Sequence, residues 1–261
     1  MYFYKYQATG NDFVIIDDRD ELFDISNQAL ISRLCNRRFG IGADGLILIR
    51  SRHGYDFKMI YFNADGNEGS MCGNGGRSAA AFASNLFPEK FSLDFLAYDG
   101  KHAAEIKHIS PQTSMVKLKL CDVMKPQKLN GDFILDTGSP HYIKFVENLS
   151  ETDVIRTGRE IRNFDQFKPK GINVNFVKAD TSSIQVRTYE RGVEDETLSC
   201  GTGVTASAIA SYFSGKITVN PVDVNTPGGK LIVSFKEEAD LFSEVWLEGE
   251  ASKVFEGEID L

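Results

Sequence analysis

Two cysteines in this sequence have matching surroundings that favour reactive thiols. Cys72 begins the run Cys-Gly-Asn-Gly-Gly, Cys200 begins Cys-Gly-Thr-Gly-Val, and each run precedes a helix-like segment of small residues. The unpaired amides and the positive dipole at the start of a helix favour a thiolate and also bind carboxylates. A cysteine pKa of roughly 8.5 needs only modest lowering to give a thiolate near neutral pH. The backbone can approach a ligand closely at glycines 73, 75, 201 and 203.

A pair of such thiols is chemically sufficient to invert a carbon that carries a carboxylate. Removal of an α-proton needs a base on one face, and inversion needs an acid on the other, so one thiol must be ionised and the other protonated. The pattern therefore predicts proton exchange between Cys72 and Cys200. Cys35 and Cys121 lack the motif, and we interpret them as small buried hydrophobic residues. The cysteine spacing shows no Cys-x-x-Cys pair, so no metal site is predicted.

Helices and sheets must hold these thiols in place, and the sequence indicates both. Helical character is seen at residues 27–37, 76–87 and 203–213, and the last two segments carry so few charges that we expect them to be buried on all sides. Alternating apolar residues predict strands at 56–62, 115–120, 183–189 and 230–235. Turns at Asp99-Gly100 and Pro227-Gly228-Gly229 fit an antiparallel sheet.

The two cysteine motifs belong to an internal repeat. They lie 128 residues apart, and Gly10 and Gly138 each begin a related run 62 residues before their cysteine. The turn glycines follow at nearly equal offsets, 28 residues after Cys72 and 29 after Cys200. The repeat predicts an α/β fold of the α+β type with two pseudo-symmetric halves. Each half is a curved, mainly antiparallel sheet wrapped around a central helix, and the active site is expected in the cleft between them. The N-terminal half spans residues 1–121, with 250–261 returning to it, and the C-terminal half spans 122–249.

Composition excludes several other classes of protein. The net charge of -8 and the absence of basic runs argue against nucleic acid as a partner. No apolar run approaches the roughly 20 residues of a membrane span, and the opening residues lack the pattern of a signal peptide. We therefore expect a cytoplasmic protein that acts on a small molecule.

Several motifs follow one another in a fixed order along the chain. They are Lys5-Tyr6-Gln7-Ala8-Thr9-Gly10-Asn11-Asp12-Phe13, Asn63-Ala64-Asp65-Gly66, Met71-Cys72-Gly73-Asn74-Gly75, Glu190-Arg191-Gly192 and Cys200-Gly201-Thr202-Gly203. With these motifs the chain resembles, from end to end, the diaminopimelate epimerase family. The resemblance implies two similar α/β halves, no pyridoxal phosphate or other cofactor, no metal, and a homodimer. It also implies conversion of LL- to meso-diaminopimelate for lysine and peptidoglycan synthesis.

The same resemblance assigns roles to individual residues. Cys72 and Cys200 become the acid–base pair, while His141 and Glu190 tune the two thiols. Arg191 suits a distal carboxylate, because a guanidinium binds one bidentately. Where the family commonly has Asn, this chain has Ser139, which leaves a substrate contact there open. The residues expected to bind substrate are Asn11, Asn63, Gly73, Asn74, Asn173, Glu190, Arg191, Gly201 and Thr202.

Three alternatives remain open at this point. A proline or hydroxyproline racemase would share the fold and the paired cysteines but would not need Arg191 for a second amino-acid head. A thiol redox protein would not need two glycine-rich anion sites, and the chain has no adjacent resolving cysteine. A binding or structural protein would have no reason to keep both thiols. From the residues alone, Glu190 and Arg191 could also form an ordinary ion pair at a strand end.

Overall fold

A computed structural model describes residues 1–69 and 71–260, and the chain divides into two compact units. Unit 1 comprises Met1–Leu118 together with the C-terminal residues from Gly249 onward, and unit 2 comprises Lys119–Glu248. The last strand, β17 (Leu241–Glu258), contributes its first residues to unit 2 and the remainder to unit 1.

The strands of unit 1 form a closed ring of hydrogen-bonded neighbours. β1 to β7 pair successively, with parallel pairing between β2 and β3 and between β4 and β5. The ring closes because β17 pairs with β1 on one side and with β7 on the other. The strands are β1 Tyr2–Ala8, β2 Asn11–Asp17, β3 Gly45–Arg50, β4 Phe57–Asn63, β5 Ser92–Ala97, β6 Gly100–His108 and β7 Thr113–Lys119.

Helix α2 (Gly73–Ala83) is the central helix of unit 1, and α1 (Gln28–Cys35) lies against β3. Every residue of α2 is buried, and the helix packs against β1, β2, β3, β4 and β6. Its run of alanines lets these strands approach closely, which confirms the expected burial on all sides. The helix begins three residues before the predicted start, because the Gly76 amide already donates to the Cys72 carbonyl at 2.7 Å.

The strands of unit 2 also surround a central helix. Helix α4 (Gly201–Phe213) packs against β10 to β13, β15 and β16, and most of its residues are buried. Apolar side chains of α4, including Val204 and Ile209, form one core with strand residues such as Val177 and Val186. The strands are β8 Val123–Met124, β9 Gln127–Leu129, β10 Asp132–Asp136, β11 Pro140–Phe145, β12 Asn173–Ala179, β13 Ser183–Glu190, β14 Asp195–Thr197, β15 Val222–Thr226 and β16 Gly229–Glu237.

Helix α3 (Val154–Arg162) was not predicted from the sequence. Its N-cap is Asp153, whose carboxylate accepts from the Arg156 amide at 3.1 Å. The helix packs against β12 and β13, where Val154 and Ile161 join Tyr189 in a second core. A short 3-10 turn, Asp165–Phe167, follows it.

Strand pairing shows the internal repeat directly. In unit 1, β2 and β3 pair in parallel with Phe13 opposite Gly45; in unit 2, β11 and β12 pair in parallel with His141 opposite Asn173. The hairpin of β5 and β6 closes at Ala97 and Gly100, and that of β15 and β16 closes at Thr226 and Gly229. The predicted fold class, a repeated α/β half with its sheet around a central helix, is confirmed.

Candidate active site

Cys72 is the N-cap residue of α2 in unit 1. Its backbone is extended, with φ of -105° and ψ of 124°, and its half-buried thiol lies beside the first turn of the helix. The amide hydrogens of Gly73 and Asn74 belong to that first turn, where a helix offers no carbonyl of its own. The thiol and a place for an anion therefore occur together at this helix start.

Asn11 lies next to Cys72, and its orientation is set by an acid. Its Nδ2 donates to Asp44 Oδ2 at 2.6 Å, which leaves Oδ1 facing the Cys72 sulfur at 3.6 Å. The same oxygen lies 3.5 Å from Asn74 Nδ2. Asp44 is held in turn by Arg37 at 2.7 Å. Three of the residues predicted to form the site, Asn11, Cys72 and Asn74, are therefore brought together within unit 1.

Asn63 is placed differently from these three residues. It is the exposed last residue of β4, and its amide donates to the Asn67 carbonyl at 2.9 Å. Its carboxamide lies close to the backbone of Gly69, where a Cβ would come within 3.1 Å of Nδ2. The structure thus leaves the Asn63 side chain at the surface of unit 1.

Cys200 is the N-cap of α4 and has nearly the same backbone conformation as Cys72, with φ of -118° and ψ of 111°. Its thiol is more buried, at 8% exposure, and lies 3.4 Å from the Thr202 hydroxyl. Gly201 and Thr202 supply the first-turn amides of α4. The two predicted half-sites therefore share one backbone design but differ in the side chains around the sulfur.

A directional chain of hydrogen bonds leads to Cys200. Asn175 Nδ2 donates to the Tyr142 carbonyl at 3.3 Å and to His141 Nδ1 at 3.0 Å, while Asn175 Oδ1 accepts from the Thr188 hydroxyl at 2.9 Å. The carbonyl can only accept, so the amide orientation is fixed and His141 Nδ1 must be an acceptor.

The proton of neutral His141 therefore lies on Nε2 and is donated to the Thr202 oxygen at 3.0 Å. The Thr202 hydroxyl hydrogen is then left to point at the Cys200 sulfur, 3.4 Å away. This hydrogen bond favours the thiolate form of Cys200, because an O–H donor stabilises a negatively charged acceptor.

His141 itself stays neutral. Burial, and after it the positive charge of Arg191, lowers its pKa to about 3. The ring is completely buried, so protonation would place a second positive charge out of contact with water and within the field of Arg191. His141 therefore acts on the thiol through its hydrogen bond and not as a proton carrier.

The remaining predicted residues lie at the end of β13. Asn173 Oδ1 accepts from the Arg191 amide at 2.9 Å, which ties β12 to the turn after β13. The Arg191 guanidinium donates to the Lys170 carbonyl at 3.3 Å, and in the part of the chain described here it makes no salt bridge. Glu190 is half-buried as the last residue of β13.

The other cysteines differ from each other. Cys35 is buried in the core of unit 1, and burial raises the pKa of its thiol to about 11, as expected for a small hydrophobic residue. Cys121 is exposed, so its interpretation as a buried hydrophobic residue was wrong.

Within residues 1–69 and 71–260, no three His, Cys, Asp or Glu side chains converge as a metal site requires. Among the same residues, no helix is long and apolar enough to span a membrane.

Two buried residues near the thiols were missed by sequence reasoning. Asn175 was not singled out from the sequence, although its amide sets the hydrogen bonds of His141. Arg77 was passed over within an otherwise uncharged helix, although its guanidinium is fully buried and holds Asn74. A charged residue in a segment predicted to be buried on all sides was the signal that could have identified it.

The family profile and the relatives of similar sequence agree on one family. The sequence profile of the family described as diaminopimelate epimerase matches residues 3–119 and 133–254. A diaminopimelate epimerase of Flavobacterium psychrophilum is 48% identical over 257 residues, covering 98% of this chain and 99% of that protein.

Two solved structures match the fold at low sequence identity. A PhzF-family phenazine biosynthesis protein of Bacillus anthracis matches with a TM-score of 0.74 at 16% identity, over 100% of this chain and 99% of the other. A hydroxyproline epimerase of Agrobacterium vitis matches with a TM-score of 0.71 at 12% identity, over 99% of this chain and 90% of that protein. At these identities the solved structures support the fold alone.

Proposed function

The chain belongs to the diaminopimelate epimerase family, and we propose that Cys72 and Cys200 are the acid–base pair of its reaction. The protein is an isomerase that interconverts LL- and meso-diaminopimelate. The observation that carries the proposal is the repeated placement of one thiol at the N-cap of each central helix.

The proposed reaction balances without a cofactor. One cysteine, as thiolate, takes the α-proton and becomes a thiol, and the electron pair of the C–H bond is delocalised into the adjacent carboxylate. The other cysteine, as thiol, then donates its proton to the opposite face of the same carbon and becomes the thiolate. First-turn amides of both helices hold the carboxylate, and they stabilise the charge that develops on it. Those amides belong to Gly73, Asn74, Gly201 and Thr202.

Recognition of the distal amino-acid head is proposed for the polar residues at the strand ends. Arg191 supports this role, because its guanidinium has no carboxylate partner in the described chain and can bind one bidentately. Glu190 can pair with the distal ammonium, and it is also proposed to tune a thiol together with His141. The remaining residues proposed to bind substrate are Asn11, Asn63 and Asn173, whose carboxamides can donate and accept hydrogen bonds without adding charge.

We propose that the reaction supplies lysine and peptidoglycan synthesis in the cytoplasm and that the protein acts as a homodimer. No cofactor is proposed, and neither nucleic acid nor a membrane is proposed as a partner. The acidic composition supports these proposals, as does the presence of two thiols that suffice for proton transfer. Sedimentation of the purified protein tests the dimer.

Incubation with LL-diaminopimelate in deuterated water tests the assignment. Early product should carry deuterium at the inverted carbon while recovered substrate carries little, as followed by proton NMR. Cys72→Ala and Cys200→Ala should each abolish epimerisation, because both directions need an acid and a base. Cys121→Ser is the matched control, since that exposed cysteine lies outside the proposed site. A Cys200→Ala enzyme with normal turnover, or L-proline racemised as fast as diaminopimelate, would overturn the proposal.

A further inference from the structure

The turn after β13 contains a residue in a backbone conformation that side chains rarely adopt. Glu194 has a φ of 59°, in the left-handed region that favours glycine. Its amide donates to the Glu190 carbonyl at 2.8 Å, which closes the hairpin of β13 and β14. A glutamate in this conformation carries a steric penalty, so its side chain is expected to make contacts that compensate for it.

The internal repeat shows the same position without a side chain. At the offset of 128 residues, Gly66 in the turn after β4 corresponds to Glu194, and its φ is 85°. The Gly66 amide also donates back across its turn, to the Asn63 carbonyl at 2.9 Å. A turn of this kind can therefore be made with glycine, and the carboxylate is what unit 2 adds.

The Glu194 carboxylate joins three groups from different parts of unit 2. Oε1 accepts from the Gly192 amide at 3.1 Å and from Nε of Arg162, the last residue of α3, at 3.0 Å. Oε2 accepts from the hydroxyl of buried Tyr189 at 3.0 Å. Burial alone would raise the pKa of Glu194, but these three hydrogen bonds lower it, so the carboxylate is ionised at neutral pH.

Arg162 extends these contacts to the segment that holds the Arg191 guanidinium. The backbone of Gly171 lies against the Arg162 side chain, where an added Cβ would come within 2.8 Å of Cζ. The residue before it, Lys170, accepts from Arg191 Nη1 through its carbonyl at 3.3 Å. The salt bridge between Arg162 and Glu194 therefore supports the loop to which the Arg191 guanidinium is bound.

We propose that Glu194 is a positioning residue that holds the Arg191 guanidinium in place for the distal carboxylate of the substrate. The proposal rests on the proposed function, since it concerns recognition of the distal amino-acid head. Glu194 binds the amide of Gly192, the residue after Arg191. It also holds Arg162 against the loop whose carbonyl accepts from the guanidinium. With its turn and its acceptor both fixed, Arg191 has fewer conformations to lose when a carboxylate binds.

The test uses the residue that unit 1 has at the equivalent position. Glu194→Gly removes the carboxylate and relieves the backbone at the same time, so the hairpin should still form. In steady-state assays with LL-diaminopimelate, kcat/KM should fall about tenfold, mainly through a higher KM. The distal head takes no part in proton transfer, so its contacts are lost equally in the bound substrate and in the transition state. Glu194→Gln keeps the shape and one acceptor oxygen, and it should keep most of the efficiency.

A double-mutant cycle separates positioning of Arg191 from a general effect on the fold. In the Arg191→Ala enzyme, adding Glu194→Gly should change kcat/KM by less than about twofold, because the group that Glu194 positions is gone. Asp195→Asn is the matched control, since it removes the charge of an exposed acid next in the same hairpin and should leave kcat/KM unaltered. Arg162→Met breaks the same salt bridge from α3 and should also raise KM, which decides the matter if Glu194→Gly does not fold.

Thermal unfolding checks that each variant is folded. A folded Glu194→Gly enzyme with unaltered kcat/KM, or a loss that persists in full without Arg191, would overturn the proposal. An Arg191→Ala enzyme of undiminished efficiency would remove the distal role of Arg191 and this proposal with it. The activity of the cysteine variants tests the two-thiol chemistry separately, so failure of the proposed function is distinguishable from failure of this inference.

Discussion

Replacing Thr202 by Val isolates the hydroxyl at the end of the hydrogen-bond chain in unit 2. Valine has nearly the same shape, and the backbone amide of residue 202 remains available for a carboxylate. The change removes the donor that lies 3.4 Å from the Cys200 sulfur and the acceptor that lies 3.0 Å from His141 Nε2. The thiolate form of Cys200 loses a stabilising contact, and the thiol form loses much less.

The magnitude follows from the charge on the acceptor. A hydrogen bond to a charged group contributes about 1.5–3 kcal/mol, which corresponds to a rise of about 1–2 units in the Cys200 pKa. The transition state with negative charge on this sulfur loses the same contact, so kcat/KM should fall about 10–100-fold. Both directions should fall by one factor, because the equilibrium constant between LL- and meso-diaminopimelate is unchanged.

The assay combines alkylation of Cys200 in a Cys72→Ala protein with epimerisation kinetics in the protein that retains both cysteines. Thr202→Ser is the matched control, since it keeps the hydroxyl and should retain both the pKa and most of the activity. A folded Thr202→Val protein with an unaltered Cys200 pKa would refute the hydrogen-bond direction deduced from Asn175 and His141.

Three further results are expected. The pKa of His141 is lowered to about 3 in the folded protein, whereas an unfolded His has a pKa of about 6.5. As the pH falls below about 6.5, the unfolded state therefore takes up a proton that the folded state does not, and the folded state loses stability. Urea unfolding at pH 6.5 and pH 5 should show about 2 kcal/mol of loss that His141→Gln lacks, and equal losses would contradict the neutral buried ring. Arg191→Ala should lower kcat/KM for LL-diaminopimelate about 100-fold or more in steady-state assays, and undiminished efficiency would remove the distal role of Arg191. In Gly203→Ala the added Cβ would lie 2.3 Å from Asn175 Oδ1, whereas in Gly75→Ala the nearest atom is 3.3 Å away. Thermal unfolding should therefore show a loss of about 1–3 kcal/mol for Gly203→Ala and a smaller one for Gly75→Ala, and the reverse order would contradict the packing.

The sequence was informative where a local pattern determines the structure. The glycine-rich runs after Cys72 and Cys200 predicted two central helices with thiols at their starts. Small side chains and a scarcity of charged residues can be read from the sequence without knowing which strands pack against the helix. The repeat predicted matching strand pairs, since equal offsets along the chain became equal registers in the sheets. The turns at Gly100 and Gly229 also lie where the sequence placed them.

The sequence was less informative where long-range packing decides a side chain's surroundings. Helix α3 was missed, because Val154 and Ile161 are the apolar residues that it buries together with Gly158, and their face is completed by Tyr189 from β13. Asn175 alternates with apolar residues in β12 like any strand residue, and only the packing shows it against His141. The exposed position of Cys121 did have a local signal that was missed, because the alternation through residues 115–120 places Cys121 on the same face as Lys117 and Lys119.

The ring of strands in unit 1 has a consequence for the order in which the chain folds during synthesis. β1 emerges from the ribosome before the other strands described here, but the strand that closes the ring, β17, pairs with it through Tyr2 opposite Glu258. Unit 2 is contiguous from Lys119 to Glu248 and can complete its core before those last residues are made. Unit 1 therefore receives its first strands before unit 2 is made and its closing strand afterwards. Until then, β1 and β7 expose unpaired edges on which chaperones can act.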